Sequence, residues 1–334
     1  MTMRVGIDLS PLRLTRAGTA RYLRILLDEL ETRDDVEVAP IAWGGSGRVT
    51  AAVRDAAWYP LGLPRAGRDA DVLHCPSYRA PFRSATPLVV TVHDLALLRH
   101  PEVFNRWSRT YGRFAVPRVA RAARLLIAVS EFTRDELVEL LAVDPQRIRV
   151  VPNGISALFK PDGPAADGDY VLAVGTLEPR KNLPRLIEAA RGLDAELRIV
   201  GARGWGDVDV DESRVHWLGE VPDEELAILY RGARCVAYPS LYEGFGYPVA
   251  EAMACGTPVV TSTGGATEEI AGGAAVLVDP LDPSSIRAGI EEAIARRDEL
   301  VPLGLERAKA FAPDRFAEAT IAVYRGALRD PDVV

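Results

Sequence analysis

The sequence predicts an α/β protein of two Rossmann-like domains, each a doubly wound parallel sheet. Its 334 residues exceed one ordinary hydrophobic core, which suggests two domains of about 150 residues each. Short apolar segments alternate with longer amphipathic ones along the chain, as is typical of parallel strands joined by crossover helices. We place the boundaries at residues 1–154 and 155–313, with a last segment at 314–334 and a hinge near Pro152-Asn153-Gly154.

Strand and helix patterns alternate through residues 1–154. The strand segments are RVGIDLS, VEVAPIAW, DVLHCPS, PLVVTVHD, LLIAVS and IRVVPNG. The helix segments are ARYLRILLDELETR, FNRWSRTYGRFAVPRVARAAR and EFTRDELVELLAV. Ser130 precedes the last of these and is expected to cap it. WYPLGLPRAG is predicted to be a loop because proline and glycine punctuate it.

The same alternation returns in residues 155–313. The strand segments are YVLAVG, ELRIVG, VHWLG, CVAYPS and PVVTS. The helix segments are RKNLPRLIEAARGL, DEELAILYRGA, PVAEAMACG and PSSIRAGIEEAIARRDEL. Pro248 and Gly256 bound the third helix, in the positions where proline starts and glycine ends a helix. DRFAEATIAVYRGAL supplies a final helix.

Composition excludes several classes of protein. A hydrophobic content of 48% and a charged content of 26% are typical of a globular chain. No apolar run approaches the roughly 20 residues of a membrane span, and MTMRVGIDLS lacks the pattern of an export signal. Cys75, Cys235 and Cys255 form no C-x-x-C pair, which argues against a disulfide framework or a cysteine zinc site. We expect a cytoplasmic protein.

Charge is distributed unevenly. Residues 1–150 carry 22 basic and 17 acidic side chains, whereas the remainder carries 18 and 30. Six arginines and no acid lie between Phe104 and Arg124: Arg106, Arg109, Arg113, Arg118, Arg121 and Arg124. Such a helical face suits the inner, anionic face of a membrane or a phosphate-bearing acceptor, and equally a solvated surface in an arginine-rich protein. An isoelectric point near 5.3 and the lack of a recognition motif argue against nucleic-acid binding.

Ligands of doubly wound sheets bind beyond the carboxyl ends of the strands. The loops that follow predicted strands are Thr15–Thr19, His93–Asp94, Gly175–Lys181, Gly201–Gly206 and Leu241–Tyr247. Because glycine, histidine and charged residues gather in these loops, we predict the site there.

Two of these loops carry specific chemistry. In GTLEPRKNLPRL, Arg180 and Lys181 stand at a strand-to-helix step, where amides and the helix dipole favour an anion such as a diphosphate. In YEGFGYPVAEAMACG, Glu243 and Glu251 flank a glycine turn and could both accept hydroxyls of one polyol. The plainer alternatives are solvated charges, with Glu251 complementing a helix dipole. The sequence has neither a P-loop nor a dinucleotide fingerprint, which argues against kinase and dehydrogenase chemistry.

The glycine turn with its two glutamates resembles the glutamate–seven–glutamate motif of the retaining glycosyltransferases of family four, which have the GT-B fold. The likeness spans the chain. It includes DLSPLRLTRAGTARYLRILL, VTVHDLALLRHPE, AVSEFTRDEL, VPNGI, AVGTLEPRKNL, ELRIVG, VHWLGEV and GGAAVLVDPLDP, in this order. The most similar subgroup contains bacterial mannosyltransferases of surface polysaccharides. The resemblance implies two domains facing across a cleft, with residues 314–334 crossing back to the first.

The resemblance also implies roles for residues of the second half. Glu243 would hold hydroxyls of the donor sugar, and Glu251 would bind the ribose of the nucleotide. Arg180 and Lys181 would neutralise the leaving diphosphate. Backbone amides of the turn would approach the sugar and the diphosphate, namely those of Gly244, Phe245, Gly246 and Tyr247. Many members have arginine where this chain has Thr176, so how Arg180 and Lys181 divide the work is open.

Further roles are implied elsewhere. From the first half, Gly18 and Thr19 would close on the diphosphate and His93 would lie near the reacting carbon. Glu269 matches the acid of a Pro-Glu-Val segment, although Glu268 replaces its proline. The run DVDVD at residues 207–211 mimics a metal-binding Asp-x-Asp, but its polar setting favours a solvated loop, and we expect no metal and no cofactor.

The predicted activity is therefore transfer of a hexose from a nucleotide diphosphate sugar to a saccharide or lipid-linked acceptor. Mannose from GDP-mannose follows from the subgroup alone, and UDP-glucose is an alternative donor. A sugar-nucleotide hydrolase and a non-catalytic nucleotide-sugar-binding partner are alternative functions. The residues leave open front-face attack and a double displacement through a carboxylate.

Overall fold

The computed structural model describes residues 2–14, 18–45, 47–203 and 215–329. It divides into two compact units, one formed by Met1–Gly154 with Pro313–Val334 and the other by Ile155–Ala312. Within the described residues, each unit contains one six-stranded sheet, and all strand pairs are parallel. The α/β fold class with two doubly wound parallel sheets is confirmed.

The first unit has the strand order β2-β1-β3-β4-β5-β6. Its strands are β1 Met3–Asp8, β2 Val36–Ile41, β3 Val72–Cys75, β4 Leu88–Val92, β5 Leu125–Ala128 and β6 Ile148–Val150. Its helices are α1 Gly18–Leu30, α2 Arg48–Val53, α3 Leu63–Ala66, α4 Ala96–Arg99, α5 Arg106–Ala122, α6 Glu131–Leu141 and α13 Pro313–Arg329. Strands β3, β4 and β5 are buried throughout, as expected for strands covered on both faces.

The second unit has the strand order β12-β11-β10-β7-β8-β9. Its strands are β7 Tyr170–Val174, β8 Glu196–Val200, β9 Val215–Gly219, β10 Cys235–Tyr238, β11 Val259–Ser262 and β12 Val276–Val278. Its helices are α7 Leu183–Ala190, α8 Asp223–Gly232, α9 Tyr247–Ala254, α10 Ala266–Ala271, α11 Pro283–Ala295 and α12 Arg297–Ala308. Strand β7 is the first strand of this unit in the chain, yet it lies between β10 and β8 in the sheet. The strand order therefore reverses between β7 and β10.

The reversal of strand order determines which loops can form a ligand site. Ligands of open parallel sheets bind where the strand order reverses, beyond the carboxyl ends of the strands. In the second unit these ends belong to β7 and β10, which are neighbours. In the first unit they belong to β1 and β3, also neighbours. Each sheet therefore exposes one topological switch point.

Two sequence predictions about local structure were wrong, and one was confirmed. WYPLGLPRAG is helical rather than a loop, because it belongs to a π-helix at Arg54–Gly62 that continues into α3. Burial of Tyr59 and Leu63 against the first sheet outweighs the local proline and glycine signal. PSSIRAGIEEAIARRDEL is broken at Arg296 into α11 and α12. Ser130 caps α6 as predicted, since its side chain accepts from the Thr133 amide.

A buried hydrogen-bond chain fastens α13 within the first unit. The Tyr324 hydroxyl lies 2.8 Å from His74 Nδ1, and His74 Nε2 lies 2.9 Å from Thr91 Oγ1. The Thr91 hydroxyl in turn lies 2.9 Å from that of Tyr22 on α1. Burial lowers the pKa of His74 to about 3, so its ring is neutral and can donate at one nitrogen while accepting at the other. Helices α1 and α13 are thereby tied to β3 and β4.

We predict that Tyr324→Phe destabilises the protein by about 1–3 kcal/mol, because His74 Nδ1 loses its buried partner. Chemical denaturation followed by circular dichroism measures the change. Leu328→Ala on the same helix is the control, since this side chain is 44% exposed and its loss should change little. Equal stability of Tyr324→Phe and the wild type would show that the hydrogen bond does not support the fold.

Candidate functional site

In the second unit, hydrogen bonds join the loop after β7 to the loop after β10 at the switch point. After β7 the chain forms a 3₁₀ turn at Pro179–Lys181 and then Asn182, whose φ is 57°. The buried side-chain amide of Asn182 donates through Nδ2 to the backbone carbonyls of Pro239 at 3.0 Å and Pro280 at 2.6 Å. The Leu241 amide, after β10, donates to the carbonyl of Arg180 at 2.7 Å. The loop that carries the cations is thus held against the loop that carries Glu243.

The side chains of these loops converge on the Glu243 carboxylate. Glu243 Oε1 accepts from Lys181 Nζ at 2.6 Å, from the Ser240 hydroxyl at 2.6 Å and from the Tyr238 hydroxyl at 2.8 Å. Glu243 Oε2 accepts from Arg180 Nη1 at 2.8 Å. The Glu243 side chain is 9% exposed and that of Lys181 is 12% exposed. We call these five residues the Glu243 cluster.

The electrostatics keep the carboxylate ionised. Burial alone would raise the pKa of Glu243, but the charges of Lys181 and Arg180 and the hydrogen bonds of Lys181 and Ser240 outweigh it, and the pKa falls to about 2. Burial and the nearby carboxylate raise the pKa of Tyr238, so its phenol stays neutral and donates. The cluster therefore holds two cations around one anion.

A second carboxylate, that of Glu178, contacts Arg180. Glu178 accepts from Arg180 through both oxygens, from Nε at 3.2 Å and from Nη2 at 3.0 Å. The Glu178 side chain is 13% exposed and that of Arg180 is 26% exposed. Arg180 thus bridges Glu178 on one side of its guanidinium and Glu243 on the other.

The glycine turn has the backbone that the sequence predicts. Gly246 has a φ of 99°, and a Cβ there would lie 3.0 Å from the Thr267 side chain, so this position favours glycine. Helix α9 begins immediately afterwards, at Tyr247, with Pro248 in its first turn. Phe245 is buried and packs edge-on against Phe311, with the ring centroids 5.5 Å apart.

The other candidate carboxylates lie on α9 and α10. Glu251 on α9 is fully buried, and its Oε2 accepts from the Tyr230 hydroxyl at 3.0 Å. Glu268 accepts from the Gly264 amide. Glu269 is half-buried, and its backbone carbonyl accepts from Arg307 at 2.8 Å. The ribose contact of Glu251 and the ligand contact of Glu269 stay predictions.

The first unit contains its own polar cavity at its switch point. It has a volume of about 280 Å³ and is lined in part by Thr19, Tyr59, Tyr78, Arg79, His93 and Asp94. His93 Nε2 lies 3.0 Å from the Pro76 carbonyl, which can only accept, so Nε2 carries the proton and Nδ1 is the acceptor. Burial lowers the pKa of His93, although Asp94 and the carbonyl oppose this, which favours the neutral ring.

Charges beside this cavity are compensated in place. Arg79 Nε lies 3.4 Å from Asp55 Oδ1, and Trp107 donates to Asp55 Oδ2 at 3.3 Å. Burial raises the pKa of Asp8, at the end of β1, to about 6. The Tyr59 hydroxyl is buried and has no hydrogen-bond partner among the described residues. The lining of this cavity therefore includes hydroxyls and the paired guanidinium of Arg79.

Comparison with known proteins decides the family. The family model described as Glycosyltransferase Family 4 matches residues 17–157, and that described as Glycosyl transferases group 1 matches residues 155–306. O-antigen chain mannosyltransferase B of Escherichia coli is 34% identical over 76% of this chain and 74% of its own. The chain belongs to the group 1 glycosyltransferases. The resemblance seen in its motifs is confirmed.

Other relatives of this glycosyltransferase differ in what their names describe. A D-inositol 3-phosphate glycosyltransferase of Acidothermus cellulolyticus is 29% identical over 89% of this chain and 74% of its own. The structure of HepE from Anabaena, solved with UDP and glucose, matches with a TM-score of 0.76 and 20% identity, covering 97% of this chain and 100% of that one. At that identity the likeness shows the fold, and the predicted GT-B architecture is confirmed.

The structure brings together some of the predicted site residues of this glycosyltransferase. Glu243, Arg180 and Lys181 meet in one cluster of the second unit, with the Gly244–Tyr247 turn beside it. Thr19 and His93 line the cavity of the first unit, where Gly18 begins α1. Part of the Thr15–Thr19 loop, residues 204–206 of the Gly201–Gly206 loop, and all of DVDVD lie outside the described residues.

Sequence reasoning missed several participants. Tyr238 accepts from Lys181, Glu178 accepts from Arg180, and Ser240 donates to Glu243, while Asn182 joins the two loops. The available signal was position, because polar residues at the carboxyl end of a buried strand face the switch point. In the described part of the chain, no group of three or more His, Cys, Asp or Glu side chains is placed to hold a metal. No helix found there is long and apolar enough to cross a membrane.

We predict a pH-dependent effect of Glu243→Gln on stability. The folded-state pKa of Glu243, about 2, lies below its ordinary value of 4.5, so its ionised form stabilises the fold above pH 4.5 and this contribution is lost as the pH falls through 2. The variant should be less stable by roughly 3 kcal/mol at pH 7, and the difference should shrink towards pH 2. Denaturation at pH 7 and pH 3 measures it.

Glu188→Gln, on the exposed face of α7, is the matched control and should match the wild type at both pH values. A Glu243→Gln variant as stable as the wild type at pH 7 would contradict the ion pairing described above.

Proposed function

We propose that this glycosyltransferase moves a hexose from a nucleotide diphosphate sugar to an acceptor hydroxyl, with retention of configuration, in the synthesis of a surface polysaccharide or glycolipid. The observation that carries the proposal is the Glu243 cluster. Arg180 and Lys181 lie in the turn that follows β7, and Glu243 lies in the loop that follows the adjacent strand β10, in the place where doubly wound sheets bind phosphates. Two converging cations suit the charge that develops on a departing diphosphate.

The donor is best assigned as GDP-mannose. The support is the O-antigen chain mannosyltransferase B relative, which spans most of this chain. UDP-glucose is the alternative donor, and its support is HepE, which was solved with UDP and glucose. We propose that Arg180 and Lys181 contact the donor phosphates. Glu243 would accept hydroxyls of the sugar, and Glu251 would accept hydroxyls of the ribose. The amides of Gly244 to Tyr247 would face the donor phosphates.

The cluster favours front-face attack over a double displacement through Glu243. A carboxylate nucleophile is more reactive when it is basic, whereas Lys181 and Arg180 neutralise the charge of Glu243 and its low pKa reduces its nucleophilicity. We therefore propose that the sugar leaves as an oxocarbenium-like species. Arg180 and Lys181 supply the positive charge for the leaving group, and the reaction on this proposal is independent of metal.

The cavity of the first unit supports an acceptor that presents hydroxyls. Because the Arg79 guanidinium is paired with Asp55, little positive charge is available there to hold an acceptor phosphate. Tyr59, Tyr78 and Thr19 offer hydroxyls, and Asp94 offers a carboxylate. A volume of about 280 Å³ lies near the lower end of ligand pockets, which suits a single sugar ring. We propose that His93 lines this acceptor-side pocket near the reacting carbon.

The arginine-rich helix supports attachment to an anionic membrane on the inner face. On α5, Arg106, Arg113 and Arg121 are exposed, and the same helix exposes the rings of Trp107 and Phe114. Exposed arginines beside large aromatic side chains are typical of helices that lie on lipid headgroups. We propose this peripheral, cytoplasmic location for the enzyme.

We predict that one nucleoside diphosphate among UDP, GDP, ADP and dTDP raises the melting temperature clearly. Ligand at about one hundred times its Kd should stabilise the folded state by about 2.7 kcal/mol. Thermal unfolding with each nucleotide measures the shift. Lys181→Met, which removes a cation from the cluster, should shrink the shift, and the exposed-site variant Lys309→Met should not.

The absence of any shift would contradict the diphosphate site. A shift without sugar transfer to any acceptor would instead favour the non-catalytic nucleotide-sugar-binding protein, and release of free sugar would favour the hydrolase. Transfer should fall at least a hundredfold in Glu243→Gln at neutral pH, since one interaction specific to the transition state is typically worth about that much. Wild-type turnover in that variant would refute its role.

We predict that the protein co-sediments with vesicles containing anionic lipid and not with neutral vesicles. The double variant Arg113→Gln, Arg121→Gln should reduce recovery several-fold, because each basic side chain near such a surface contributes about 1 kcal/mol. The control is the double variant Arg65→Gln, Arg68→Gln, which removes the same charge from exposed positions elsewhere in the first unit. It should not reduce recovery. Equal recovery with both lipids would refute the membrane contact.

A further inference from the structure

One acidic residue of the site has no role in the proposed donor contacts. Glu178 lies two residues before Arg180 and accepts from its guanidinium through both carboxylate oxygens, at 3.2 and 3.0 Å. Paired, bidentate contacts of this kind are among the stronger ones that arginine makes. With its side chain only 13% exposed, Glu178 is poorly screened by solvent.

This contact opposes the binding of another anion. Arg180 has a planar fork of donors, and Glu178 occupies Nε and Nη2 while Glu243 occupies Nη1. Lys181 is also paired, with Glu243 at 2.6 Å. A diphosphate approaching these cations therefore competes with carboxylates that already neutralise them.

We propose that Glu178 is a resident counter-ion that competes with the diphosphate for Arg180 and so limits how tightly the nucleoside diphosphate product is held. The inference rests on the proposed function, because it assumes that Arg180 meets the diphosphate. After transfer the diphosphate gains a negative charge, so uncompensated cations would retain the product. The ion pair between Glu178 and Arg180 forms again as the product leaves. Product release is the rate-limiting step of turnover in many enzymes.

The alternative is that Glu178 only orients Arg180 towards the diphosphate. The two roles predict opposite signs for Glu178→Gln, which preserves the shape of the side chain and removes its charge. A counter-ion that competes makes the variant bind GDP or UDP more tightly, by roughly tenfold given one partly buried charge pair. A residue that only orients Arg180 makes the variant bind more weakly.

The experiment is calorimetric titration of the full-length wild type and of Glu178→Gln with GDP and with UDP. Glu178→Ala is a second variant that also lacks the charge, and Glu188→Gln on α7 is the control with the same change at an exposed position. The gain should be larger at low salt, since screening weakens the competition. In an Arg180→Gln background, Glu178→Gln should change the affinity little, because its partner is gone.

Tighter binding by both charge-removing variants, lost in the Arg180→Gln background, supports the counter-ion role. Equal or weaker binding than the wild type overturns it and leaves the proposed function standing. Failure of both nucleotides to bind the wild type and the variants overturns the proposed function and the counter-ion together. In Glu178→Gln, the single-turnover rate of transfer should be no lower than in the wild type, whereas the steady-state rate should fall. This is the result expected when release of the product is slowed.

Discussion

The candidate site depends on one constraint, which is that a buried carboxylate must be paired. Glu243 is almost inaccessible to solvent, and an unpaired charge there would be costly. Lys181 and Arg180 meet that need from the turn after β7, and Tyr238 and Ser240 meet it from the end of β10 and the loop that follows. Because the partners come from different segments, the carboxylate also determines where those loops lie. The same contacts hold the two cations in the positions that an incoming anion would use.

The sheets make this pairing possible. Strands β7 and β10 are adjacent although α7, α8 and two strands separate them in the chain, so their carboxyl ends bring the Arg180 and Glu243 loops together. Asn182, in a left-handed conformation, and Gly246, with a positive φ, turn the two loops at their exits. In the first unit, the carboxyl ends of β1, β3 and β4 bring Asp8, His93 and the cavity together in the same way.

Much of this could be predicted from sequence. Parallel strands buried on both faces appear as apolar runs, so the alternation of β7, α7 and β8 was visible, and the cations at a strand end marked the site. The π-helix was not visible, because burial of Tyr59 overrides its neighbouring prolines. Partners such as Tyr238 and Glu178 could not be assigned, since their contacts depend on which loops meet. The full burial of Glu251 likewise depends on the packing of α8 against α9.

The most direct test of the central claim is a crystal structure with a nucleotide sugar bound. If the wild type consumes the donor, the Glu243→Gln variant can be used to prevent turnover. We expect diphosphate oxygens within hydrogen-bond distance of Arg180 and Lys181, with the contact between Arg180 and Glu178 lengthened or lost. A donor bound elsewhere, with the Glu243 cluster of the wild type unchanged around it, would contradict the account.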